Sequence, residues 1–237
     1  MWCIRGVTLE LVWKLLAGLL VLKVTSAVVL NYSKYIPPDF ESEFLQGREL
    51  YFGGSYQWAF YTHLVAGPLS LVWGLILLSD RFRLRSPRCH RYLGRIQVIC
   101  VLFLLLPSGL WMSCFAATGA IAGAGFGTLA IVTGVCLVLG WQAAVRRRFV
   151  EHRRWMWRSF LCLCSAVVVR MIGGLATVAD IEAEWVYPLA AWASWLVPLL
   201  AYEALDRANL QLNASATVFH AHQPPHGNGD NYRGDRI

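Results

Sequence analysis

Ser86-Pro87-Arg88-Cys89-His90-Arg91-Tyr92-Leu93-Gly94-Arg95 is a basic stretch set between two apolar runs. A second basic segment, Arg146 to Arg158, reads Arg-Arg-Arg-Phe-Val-Glu-His-Arg-Arg-Trp-Met-Trp-Arg and again separates two apolar runs. Loops of dense positive charge between runs of membrane-spanning length mark the cytoplasmic side of a multi-pass helical protein. Residues 79–95 hold six arginines against Asp80, and residues 146–158 hold six against Glu151. Together they exceed the whole chain's net charge of +7, so the remainder is acidic. The excess therefore reads as an orientation signal and not as a nucleic-acid footprint.

Working outward, the apolar runs are Leu9–Leu30, Trp58–Leu78, Ile96–Phe115, Ala120–Val145, Trp155–Val178 and Trp185–Leu205. A helix needs about 20 residues to cross the hydrocarbon. The composition agrees. Of 237 residues 57% are hydrophobic and only 15% charged, with a mean hydropathy of +0.49, against about 25% charged in a soluble domain. Alternating patterns are almost absent, which argues against a barrel. The expected fold is an all-α integral membrane bundle of six transmembrane helices, with spans two to five forming its core. An even count puts both termini on one side. The arginine loops place that side in the cytoplasm, in the cell (inner or cytoplasmic) membrane.

The chain divides into residues 1–56 (first helix and outer connector), 57–205 (a five-helix membrane domain) and 206–237 (a polar cytoplasmic tail expected to be disordered). Run one is interrupted by Lys14 and Lys23. An uncleaved anchor competes there with a signal peptide ending near Thr25-Ser26-Ala27. The anchor is favoured because apolar residues continue through Leu30. The connector carries Pro37-Pro38, Gly53-Gly54 and the acids Asp39, Glu41, Glu43 and Glu49; with Asp180, Glu182 and Glu184 these face outward. Ser86 and Pro87 read as an N-cap and first helical residue, and Pro107 as a kink. Gly119, Gly123 and Gly127, with Ala120 and Ala124, suit close helix packing. The seven cysteines form no CxxC pair and read as buried thiols.

Two groups of residues could carry chemistry. Lys23, His63 and Arg170 lie within spans, roughly 8–12 Å below the outer edge at 1.5 Å per residue. An arginine at the centre of a membrane helix costs on the order of 2.5–3.5 kcal/mol, and arginine cannot shed its proton. Either Arg170 pairs with Asp180 or Glu184 while Lys23 snorkels outward, or the three form an outer-leaflet pocket for an anionic or quinone-like group, with His63 titratable. On the inner side, His90 and His152 precede spans three and five. Two histidines on neighbouring helices can clamp a haem iron, and Arg91, Arg95, Arg153 and Arg158 could neutralise its propionates. The same arginines could instead contact lipid phosphates, a role that suits arginine over lysine. His220, His222 and His226 lie in a Pro/Gly-rich tail without carboxylates or thiolates around them, so no metal site is assigned. Asn213-Ala214-Ser215 matches a glycosylation acceptor but falls on the cytoplasmic side. No Gly-rich phosphate loop, nucleophile elbow or HExxH motif is present.

His63 followed by Gly67-Pro68, the string His90-Arg91-x-x-Gly94-Arg95, then His152-x-x-Trp155-Met156-x-Arg158-Ser159 and Arg170 resemble a bacterial membrane-protein family. It is catalogued as domain of unknown function 2306, and the resemblance covers about residues 57–180. It implies a multi-pass bundle and assigns no activity. A looser similarity is to b-type cytochrome bundles with histidine pairs on alternate helices, where His90 with His152 fits one pair. His63 has no counterpart on span four, so that similarity implies at most one haem. The expected function is a redox-type membrane protein binding haem or quinone near its cytoplasmic face. The alternatives are a transporter or anion-binding protein using Lys23, His63 and Arg170, and a non-catalytic, lipid-interacting scaffold.

Overall fold

The computed structural model describes the backbone of residues 2–42, 44–181 and 183–221, with side chains from Leu15 onward except at residues 209 and 212–221. Among these residues there is no strand, and six helices are long and apolar enough to cross a membrane: Leu15–Lys34, Ser55–Leu77, Pro87–Ser113, Ala120–Val145, Phe149–Val178 and Val186–Ala208. Large apolar side chains are exposed along them, including Leu19, Val65, Phe103, Ile131, Leu175 and Val197. A water-soluble chain seldom displays so much apolar surface, and it suits contact with a lipid bilayer. Residues to Leu199 form one compact unit. From Leu200 a second unit continues as helix through Ala221, so the part of the tail that is described is helical.

Helix α1 (Trp2–Leu30) leads through a single 3-10 turn into the connector, where α2 (Glu49–Phe52) is a short turn before α3 (Ser55–Leu77). The connector is a packed cap: Leu45, Phe52, Tyr56 and Phe60 are buried together, ringed by Tyr35, Phe40, Tyr51 and Phe115. In α3, Pro68 has no N–H to give the Leu64 carbonyl one turn back. The Tyr32 hydroxyl, from the end of α1, donates to that carbonyl instead. Val21 of α1 also packs on Leu71 and Val167.

After the short α4 (Asp80–Arg85), span three is built from α5 (Pro87–Ile99), a π-helical turn (Cys100–Leu105) and α6 (Leu106–Ser113). The helix begins at Pro87 as expected, but the Ser86 side chain makes no capping bond. The irregularity expected at Pro107 takes the form of the π turn just before it. There a wider turn relieves the clash between the proline ring and the preceding carbonyl.

Span four is α7 (Ala120–Val145), and span five is α8 (Phe149–Leu163) and α9 (Ser165–Val178), interrupted at Cys164. Span six is the start of α10 (Val186–Ala221). Gly123 and Gly127 face Ser113, and a Cβ on Gly123 would stand 2.6 Å from the Ser113 carbonyl oxygen. Gly119 differs from the expected packing role. It precedes α7 at φ +84°, with open space where its Cβ would be, so it serves the turn. The tightest α7–α8 approach is at Gly140, where a Cβ would run into the Met156 side chain. Cys100, Cys136 and Cys162 are buried thiols as expected, whereas Cys89, in the basic first turn of span three, and Cys114, at the end of that span, are exposed.

Candidate functional site

The turns 79–86 and 146–148 define an arginine-rich end of the bundle, and the connector with the turns 114–119 and 179–185 defines the opposite end. At the connector end Arg170 sits eight residues inside the end of α9, about 12 Å along a helix rising 1.5 Å per residue. Its Nη1 donates to the Ala166 carbonyl at 2.7 Å, one turn deeper. The ion pair with Asp180 or Glu184 is not formed: among the described residues Arg170 has no carboxylate partner. The reason is geometric, since both acids lie beyond the helix end while the guanidinium folds back inward. Tyr32, Tyr35, Tyr187 and His63 are instead within its electrostatic reach. Arg170 is exposed on α9.

His63 is half-buried on α3, with Nδ1 3.3 Å from the Ser108 hydroxyl. That hydroxyl already gives its hydrogen to the Leu104 or Leu105 carbonyl. The imidazole must therefore donate, which assigns the Nδ1–H tautomer and leaves Nε2 an acceptor. Gly109 makes room for the ring: a Cβ there would lie 3.3 Å from His63 Cε1. Lys23 does not join them. It is exposed on α1 and makes no hydrogen bond or ion pair among the described residues.

Sequence reasoning missed Arg48. Its side chain is buried, at 6% exposure, and carries no carboxylate partner among the described residues although acids surround it in sequence. Nε donates to the Phe44 carbonyl at 2.7 Å, and Nη1 to the Tyr56 hydroxyl at 2.8 Å and the Phe115 carbonyl at 2.9 Å. The guanidinium also lies 4.8 Å from the Phe44 ring centroid. Arg48 and Arg170 are both within electrostatic reach of Tyr187. Neither guanidinium has a carboxylate partner among the described residues, and a desolvated charge is costly unless something anionic joins it. The available signal was a lone arginine among Phe44, Tyr51, Phe52 and Tyr56.

A cleft of about 280 Å³ lined by Gly173, Ala176, Thr177, Asp180, Ile181 and Val186 opens at the same end. Arg170, Gly173 and Thr177 are spaced i, i+3, i+7 and so share one face of α9. Gly173 and Thr177 line the cleft, and Arg170 lies about one turn from Gly173 on that face.

At the arginine-rich end, His152 Nδ1 lies 2.8 Å from the Gly140 carbonyl. A carbonyl only accepts, so this nitrogen carries the hydrogen and Nε2 keeps its lone pair. His90 is half-buried, and its Nδ1 is enclosed without a partner. His152 and Arg83 are within electrostatic reach of it, and its ring centroid is 6.3 Å from that of Phe82. The structure therefore brings the two histidines to one neighbourhood. Of the four arginines around them, Arg153 is committed to Asp80 at 2.8 Å, and Arg158 stacks 4.6 Å from the Trp155 ring. Arg91 and Arg95 are exposed. Asp80 also holds Arg83 at 2.9 Å and so joins α4 to α8. Slight desolvation opposes ionisation of the Asp80 carboxyl, but the Arg153 hydrogen bond and the Arg153 and Arg83 charges outweigh it, so its pKa is lowered.

The remaining sequence signals give no geometry. The side chains of Asn213, Ser215 and His220, and all of His222 and His226, lie outside the described residues. Among the described residues no three His, Cys, Asp or Glu side chains converge as a metal site.

The model of a family described as "Predicted membrane protein (DUF2306)" matches residues 60–205. The chain belongs to this family. The match takes in both ends of the bundle, from His63 and Arg170 to His90 and His152, so the chain is a multi-pass membrane protein of that family. No curated protein and no solved structure matches it.

Proposed function

We propose that this protein binds an anionic group at the connector end, with Arg170 as its principal contact and Arg48, His63 and Tyr187 around it. The arginine-rich end faces the cytoplasm in this reading, as the positive-inside rule requires, and the binding site lies in the outer leaflet. One observation carries it: Arg170 lies within a membrane span, exposed, and without a carboxylate partner among the described residues. Ionisable residues at that depth are expensive and mark partners or pathways. The Tyr187 hydroxyl and the guanidinium supply hydrogen-bond donors. They are the donors that an incoming carboxylate, phosphate or quinone-like oxygen needs.

The test is thermal unfolding of the purified protein against a panel of carboxylates and phosphates. A ligand at a hundred times its Kd stabilises by about 2.7 kcal/mol. That stabilisation is expected in the wild type and absent from Arg170→Leu. A wild type indifferent to every anion would refute the reading.

A specific observation also favours a haem-bearing redox protein. The Gly140 carbonyl holds His152 with Nε2 free, the arrangement by which second-shell acceptors orient metal-ligating histidines, and His90 is adjacent. His152 and His90 would hold the iron, and the haem would supply one-electron transfer. The unpartnered His90 Nδ1 fits less well, since an axial histidine ordinarily has that nitrogen bonded. This reading expects a Soret band from haem-replete cells, lost in His152→Ala and in His90→Ala; colourless protein from such cells would exclude it.

A further inference from the structure

We infer that the ligand of the connector-end site is an acidic amphiphile, an anionic head on an apolar chain, which reaches Arg170 sideways from the bilayer. The inference rests on the anion-binding reading above and names the class of ligand.

Depth comes first. Arg170, His63 and the Leu64 carbonyl that meets Tyr32 lie at a common level, each eight or nine residues inside the connector end of its helix, which is roughly 12–14 Å of helix. That level is hydrocarbon, so an anion arriving there without an apolar chain gives up its hydration for little return. Access is the second point. Arg170 is exposed, and so are Met171, Gly173, Gly174, Leu175, Thr177 and Val178 beside it. Nothing stands within 4 Å of a Cβ built on Gly173 or Gly174. This half of α9 is therefore bare toward the acyl chains, and the guanidinium can be approached through them. The aqueous route is the third. Asp180, at the water-facing end of the helix, lines the cleft, and Glu184 is exposed in the same turn. Water-borne anions are repelled by carboxylates at that mouth. An amphiphile avoids them: its head sits against Arg170, the polar remainder of a larger head fills the cleft, and its chain stays in lipid.

The full-length protein in phosphatidylcholine nanodiscs is titrated with laurate, dodecyl phosphate, dodecanol, acetate and inorganic phosphate, following thermal unfolding by tryptophan fluorescence. Laurate and dodecyl phosphate are expected to raise the Tm of the wild type but not of Arg170→Leu; the other three are expected to leave it unchanged. The stronger of the two shows which head the site prefers. Gly173→Leu fills open space without a clash and keeps the arginine, so it tests the placement even if Arg170→Leu folds poorly. It should weaken the dodecyl phosphate response at least tenfold in concentration. An unchanged response there overturns the placement at α9. If acetate or phosphate stabilises as well as the chain-bearing anions, and Arg170 is needed, the amphiphile is overturned while anion binding stands. If dodecanol matches laurate, or no titrant acts on the wild type, both readings fall.

Discussion

Replacing Tyr32 with Phe removes one oxygen and leaves the Leu64 carbonyl with no donor, because Pro68 stands where the helical N–H should be. A buried acceptor left unsatisfied costs about 1–3 kcal/mol. Hydrogen bonds between membrane helices average about 0.6 kcal/mol, with a maximum near 1.7. A loss of about 1–1.5 kcal/mol is therefore expected for Tyr32→Phe. The compensating change is Pro68→Ala, which restores the backbone donor to Leu64. In that background Tyr32→Phe should cost only a few tenths of a kcal/mol, giving a coupling of about 1 kcal/mol in the double-mutant cycle. Reversible unfolding of the four proteins in mixed micelles measures it. If Tyr32→Phe costs the same with and without the proline, the hydroxyl is not replacing the missing N–H and the account of this joint is wrong.

Other perturbations test separate parts of the fold. Gly140→Ala should destabilise by about 1–3 kcal/mol through overpacking, and Met156→Ala should relieve most of that because the opposing atom is the tip of a side chain. Gly123→Ala meets the Ser113 backbone carbonyl instead, so no side-chain deletion opposite should rescue it. Arg48→Lys should lower stability by about 1–3 kcal/mol, since an ammonium cannot reproduce the bonds of the guanidinium fork; an unchanged melting curve would remove Arg48 from the cap. Asp80 titrates below its usual range. Its contribution is therefore complete above the unfolded-state pKa and lost as pH falls through the lower, folded value. With the carboxylate half exposed, Asp80→Asn should cost no more than about 1 kcal/mol at neutral pH and abolish that acid-dependent loss.

The bundle was legible because membrane insertion is decided by sums over long windows, and those sums survive local irregularity. All six spans fall where the apolar runs lie, although α8 begins at Phe149, six residues before run five. Charged residues such as Arg153 and Arg154 hide that first helical turn from a hydropathy window. The glycine spacing marked Gly123 and Gly127 correctly. It was silent on Gly125, Gly134 and Gly140, which stand alone and whose neighbours come from α6, α8 and α10. Site residues were legible one by one but not as groups. His63 and Arg170 come within electrostatic reach of each other and Lys23 joins neither among the described residues, because helix rotation sets which face a residue occupies and an all-round apolar helix carries no amphipathic record of it. Arg48 was invisible for a different reason. Its partners are carbonyls and phenols, and no pattern of opposite charges points to them.

The bond from Arg48 to the Phe115 carbonyl spans 67 residues. During synthesis the connector emerges long before its acceptor, which becomes available only after the third span has crossed. Until then the guanidinium has neither its carbonyl nor the Phe115 ring that closes the aromatic cap. The first hairpin is therefore provisional, and its connector stays open to proteases and chaperones until the next helix arrives. A chain truncated after Leu78 should expose the connector to cleavage, whereas one extended past Phe115 should protect it. The order of assembly is thus set by a single side chain waiting for its partner.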